Sequence, residues 1–168
     1  MMRIGGAVRG LLVASQSMPA EVRFPRVPAE ASAPVAPNMS TAPNMSTPRN
    51  LGDGLWFVPM SAQWAARLDI DAGFSPGQPI VGFEVLTAGV IAFAERLSTT
   101  CVIGFIERTY GLEVIDCAVA WADGRIVAGP SGTAVTADNQ ISAATEILDA
   151  LGIDSARHAS VLTALADG

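Results

Sequence analysis

The 168-residue sequence predicts an α+β fold, a mainly antiparallel sheet of about four to five strands covered by helices on at least one face. Three observations carry this expectation. Two long apolar runs, Cys101–Arg108 and Leu112–Ala122, follow one another closely, and Asp123-Gly124 then joins the second to Ile126–Ala128. Asp-Gly between apolar runs is the strongest short hairpin signal, because both turn positions need positive φ. Flanking segments repeat apolar residues at helical rather than strand spacing.

The elements follow in order. Leu55–Val58, between Asp53-Gly54 and Pro59, reads as a strand, with an edge position open to it. Ser61 is placed to cap a helix over 62–68. Residues 71–79 are dense in Gly and Pro and read as a loop. Phe83–Leu86 reads as a short strand. Thr87 then caps a helix over 88–97, with Leu86, Val90, Phe93, Ala94 and Leu97 on one face. Within 112–122 the bulky Ile115, Cys117, Val119 and Trp121 alternate with Val114, Asp116, Ala118, Ala120 and Ala122. This pattern predicts an interior strand with a close-packed helix on its alanine side. The Asp-Gly turn sets Ala122 against Arg125, Trp121 against Ile126 and Ala120 against Val127. Gly129-Pro130 reads as the exit from the sheet. Asp138 is the expected cap of a helix over 139–151, Gly152 its C′ residue, and a last helix runs over 156–166.

Residues 1–50 read differently, as a disordered Pro/Ala/Ser-rich tail before a single α+β domain at 51–168. Proline recurs at positions 19, 25, 28, 34, 37, 43 and 48, and APNMST repeats in tandem at 36–41 and 42–47. Such a segment buries too little apolar area to offset the entropy of ordering it. The start carries Arg3 and Arg9, and its apolar run Gly10–Ala14 is short for an export signal, so a cytoplasmic location is the expectation, with export weakly supported.

Charge limits the function classes. Residues 1–50 hold five Arg and two Glu, a net of +3, whereas 51–168 hold five Arg and fourteen acids, a net of −9. The domain therefore repels phosphate backbones, and no nucleic-acid partner is expected. No apolar run is long enough for a membrane helix. Cys101 and Cys117 lack a CxxC pattern and read as buried thiols, with a disulfide the alternative. His158 reads as a surface residue, and Asp69-x-Asp71 lacks the Gly and Glu of a calcium loop, so neither metal nor cofactor is expected.

Glu107 and Asp116 form the candidate polar site. A two-residue turn at Tyr110-Gly111 sets Glu107 against Val114 and Asp116 against Phe105, on one face. Paired carboxylates there would split their pKa values and supply an acid and a base. Arg108, Tyr110 and Glu113, around the hairpin tip, form the candidate interaction surface, for a protein partner or self-association.

Gly104-Phe105-Ile106-Glu107-Arg108-Thr109-Tyr110-Gly111, then Ala118–Gly124 ending in Trp121-Ala122-Asp123-Gly124, then Gly129-Pro130 and the Ile141–Ile153 helix resemble a group of small uncharacterised bacterial α+β proteins, common in actinobacteria. The resemblance covers about half the chain and rests largely on structural punctuation. Arg108 and the single Gly111 depart from the group's pattern, and Glu107 is the polar position that agrees. It implies no activity and no catalytic residue. The sequence thus points to a non-catalytic protein-interaction or immunity-type module. The alternatives are a small hydrolase-like enzyme using the paired carboxylates and a structural subunit of a larger assembly.

Overall fold

Ala7–Ala14, placed in the tail by its sequence context, forms strand β1 inside the sheet. This corrects the 1–50 boundary. The computed structural model describes residues 6–15, 48–135 and 142–167. Most of the expected linker, with its APNMST repeat, lies in 16–47, and Asp138 in 136–141, outside the described residues, while Arg49 and Asn50 at its end belong to a strand.

After β1 come β2 (Arg49–Gly52), β3 (Leu55–Pro59), α1 (Ala62–Asp71), α2 (Ala88–Leu97), β4 (Val102–Tyr110), β5 (Val114–Ala122), β6 (Arg125–Val135), α3 (Ala143–Ala150) and α4 (Ser155–Ala166). Among the described residues, six strands are ordered β2-β3-β1-β4-β5-β6, and every neighbouring pair is antiparallel. The α+β fold class holds, with more strands than expected.

The sheet is covered on both sides. Leu11, Val13, Ile103, Phe105, Val119 and Trp121 pack with α1 and α2. Leu12, Phe57, Ile106, Ala118 and Ala120 pack with α3 and α4. Leu11, Leu12 and Val13 are therefore all fully buried, and β1 reads as an unbroken apolar run rather than an alternation. That is why a short central strand resembled a stray apolar stretch.

The alanine side of β5 carries α3, as its pattern predicts. Gly104 completes this flat surface: a Cβ there would lie 3.2 Å from Ile147 and Leu151. Gly10 of β1, on the same face, is more tightly constrained. A Cβ on it would meet the Val58 carbonyl oxygen at 2.3 Å and the Phe57 ring at 2.6 Å.

Local signals mostly act as expected. Ser61 accepts the Trp64 N–H at the start of α1, which runs past 68 to Asp71. The Asp123-Gly124 turn has φ of 52° and 75°, and Asp53-Gly54 repeats this pattern between β2 and β3 with 51° and 79°. Gly152, φ 79°, closes α3: its N–H bonds to Asp149 and that of Ile153 to Leu148, a Schellman arrangement.

Other expectations need correction. The start of α3 is capped by Ser142, whose side chain and that of Thr145 bond reciprocally to each other's backbone. Phe83–Leu86 is a loop. Gly129-Pro130 does not end the sheet, because β6 passes through irregularities around Val127 and 129–130 and pairs again from Ser131 to Val135. Ala120 accordingly faces Ala128 rather than Val127, while the Ala122–Arg125 and Trp121–Ile126 pairs hold.

Two substitutions test β1. Leu12→Ala should cost about 2–5 kcal/mol in urea unfolding, and Gly10→Ala about 1–3 kcal/mol from overpacking. Residues of a loose tail would change the midpoint by nothing measurable.

Candidate functional site

The β4–β5 hairpin turns through residues 111–113, one residue more than a two-residue turn. The loop is also displaced along the chain, so each partner shifts by three residues, an odd number that inverts the faces. Glu107 lies opposite Cys117, and Asp116 lies opposite Arg108. The two carboxylates project to opposite faces of the sheet, Glu107 toward α1 and α2 and Asp116 toward α3. They do not form a pair.

Glu107 is buried, and its two oxygens accept the backbone N–H groups of Glu84 at 2.7 Å and Val85 at 2.6 Å. These bonds explain why Phe83–Leu86 is not a strand, since a side chain satisfies its backbone in place of a neighbouring strand. Arg9 of β1 stands opposite Glu107 in the register and also pairs with the Glu84 carboxylate. Burial pushes the Glu107 carboxyl above its ordinary value, and the backbone N–H groups and Arg9 hold it back. Cys117, beside it, is pushed up by burial first and by the Glu107 and Asp116 charges second. Such a thiol is a poor nucleophile. Cys101 is only half-buried and points its Sγ at the Leu97 carbonyl oxygen.

Asp116 is fully buried, with Arg108 Nε 3.2 Å from its Oδ1. Burial raises its pKa, while Arg108 and the Ser142 hydroxyl lower it. The Arg108 guanidinium also lies 5.8 Å from the centre of the Tyr110 ring. Arg108 therefore lies between the Asp116 carboxylate and the Tyr110 ring on the α3 side. Tyr110 is half-buried, and burial raises its phenol pKa.

A third buried acid, Asp69, accepts N–H groups from Gly77 at 3.2 Å and Gly89 at 2.7 Å. It does the capping that Thr87 leaves undone at the start of α2. Asp71 pairs with Arg67. His158 is mostly buried, and its Nε2 lies 3.0 Å from the Ile153 carbonyl oxygen and 3.1 Å from Asp149. It joins α4 to the end of α3, where the sequence suggested a surface residue. Among the described residues, no group of three His, Cys, Asp or Glu side chains converges as a metal site.

At the hairpin tip, Glu113 is exposed as expected, but the prominent side chain is Leu112, which is fully exposed. Leu112 read as the first residue of a strand. Its place next to Gly111, in a stretch too short to pair, was the available signal. Ile115, on the α1/α2 side, is half-exposed. Arg9 was missed because its strand was.

Two stability experiments follow. Glu107 and Asp116 have folded pKa values above their ordinary 4.5 and 3.8, so the native state binds more protons than the unfolded chain between those values and the raised ones. Their contribution is complete below the ordinary values and is lost as pH rises through the raised ones. Glu107→Gln should flatten that fall in a urea-midpoint profile and cost about 1–3 kcal/mol at neutral pH, because the amide leaves one N–H without an acceptor. Arg108→Met should cost about 3–5 kcal/mol by stranding Asp116, and Arg108→Met with Asp116→Leu should recover most of it. Equal losses in the single and double variants would show that the pair is not coupled.

No protein-family model, curated protein or solved structure matches this chain.

Proposed function

We propose that this chain is a non-catalytic protein-interaction or immunity-type module of the cytoplasm, related to the small bacterial group that its hairpin and Trp-x-Asp-Gly strand resemble. The observation that carries the reading is the division of labour among its side chains. The buried acids Glu107, Asp116 and Asp69 each face a backbone N–H or a guanidinium of the protein itself. Two apolar side chains, Leu112 and Ile115, instead stand exposed three residues apart at the β4–β5 turn, away from exposed Ile126 and Val127 near the other end of β5 and from Ile70, Phe74 and Val81 at and beyond the end of α1. Apolar side chains left in water close together at a hairpin end favour contact with another protein.

Photo-cross-linking in the cells that encode the chain tests this. A benzophenone amino acid at Leu112 or Ile115 should give a discrete adduct with one protein. The same group at exposed Gln63 of α1 or Ser160 of α4 should give none. Adducts at all four positions, or at none, would overturn the reading.

A further inference from the structure

We propose that the Ser131–Val135 segment of β6 receives an extended, basic peptide, which adds to the sheet as a seventh strand. The inference rests on the interaction-module reading and names its surface and partner chemistry.

β6 is the last strand of the sheet, and among the described residues nothing pairs with its outer side. A strand margin presents alternate N–H and C=O groups that an extended peptide satisfies. The irregularities around Val127 and 129–130 divide this margin, and Pro130 has no N–H to give. The uninterrupted part is Ser131–Val135, which runs opposite Ala118–Val114.

That part is open on the α1/α2 face as well as at its edge. Gly132 and Ala134 are exposed there, and Ala134 lies against half-exposed Ile115. The small residues make a shallow shelf, with room for the β-branched side chains of an added strand.

Charge selects the partner. The Ser131 hydroxyl lies 3.5 Å from the Glu146 carboxylate, at one end of the segment. At the other, Val135 pairs with Val114, which follows exposed Glu113. The one cation on β6, Arg125, is beyond the irregular stretch. A carboxylate therefore stands at each end of a segment about 14 Å long, at ~3.4 Å per residue. A docked strand meets both with Arg or Lys about four residues apart. A second copy of the chain would bring another acidic domain to an acidic margin, and like charges oppose that contact.

A surface-displayed library of random nine-residue peptides, selected on the purified full chain, provides the probe. Enriched peptides should carry Arg or Lys about four positions apart around β-branched residues. They should slow hydrogen exchange at the outward-pointing amides of Ser131–Val135, which do not bond to β5. Glu113→Arg with Glu146→Arg, both at exposed positions, should weaken them on the order of tenfold at low salt, with the fold intact. Acidic or neutral enriched peptides, or protection confined to other elements, would overturn the proposal. So would outward-pointing Ser131–Val135 amides already protected in the dilute free chain, which would place the chain's own residues on the margin. Protection that grows with protein concentration would make the occupant a second copy, and would also overturn it. If the peptides fail while the Leu112 adduct persists, this site falls and the interaction reading stands. If the adduct fails as well, both fall.

Discussion

Strand β1 is the constraint on which the other elements depend. It lies between β3 and β4 and pairs with both, so without it the sheet would separate into β2–β3 and β4–β5–β6. Its Leu11 and Val13 enter one apolar cluster and its Leu12 the other, so one short segment takes part in both cores. The close approach that Gly10 permits to Val58 and Phe57 sets the spacing to β3. Arg9 carries the same strand's influence outward, through the Glu84 carboxylate, to the loop that precedes α2.

A sheet covered on both faces places strict demands on any polar group in its middle. This domain answers with long-range carboxylate contacts. Glu107 holds the loop at 84–85 against the sheet, Asp69 holds residue 77 and the start of α2 against α1, and Asp116 opposes Arg108 on the other face. The close contact of α2 with α1 depends on Gly89 in the same way: a Cβ there would fall 2.4 Å from the Asp69 backbone nitrogen. Glu107 and Asp116 have the burial and the raised pKa values that catalytic groups share, and the cause here is structural. Burial raises both pKa values, and fixed donors or a fixed cation then stabilise the charged forms.

What could be read from the sequence was mostly local. The α2 bounds, the Asp-Gly turn, the alanine side of β5 and the Gly152 stop depend on residues a few positions apart. The misreadings involve distant partners. β1 is recognisable only beside β3 and β4, more than forty residues away along the chain. Phe83–Leu86 has strand-like residues, but its donors are taken by Glu107, 22 and 23 positions on. The candidate acid pair failed on the hairpin register, which lies three residues from the expected one. Because side chains alternate along a strand, that odd shift places Glu107 and Asp116 on opposite faces. Glu113 kept its expected exposure because it sits in the loop itself, where register has no hold.

The two margins of the sheet are treated differently, and the difference has a physical basis. β2 is four residues long and fixed in place: Arg49 covers the Phe57 ring at 5.1 Å and reaches the Ala164 and Leu165 carbonyl oxygens, while Asp53 pairs with Arg157 of α4 at 2.9 Å. β6 has eleven residues and, among the described residues, no comparable cover on its outer side. What limits it is its own backbone. Gly129 has φ of 71°, and a Cβ there would meet the Ala118 carbonyl oxygen at 2.5 Å, so only glycine fits where the strand departs from regular pairing. With Pro130 next in line, the margin cannot act as one long flat template for another sheet. The stretch that stays regular, Ser131–Val135, is long enough to hold a peptide and short enough to discourage the merging of whole sheets. An acidic residue at each end narrows the choice again, so a surface shaped against aggregation is also shaped for a particular kind of strand.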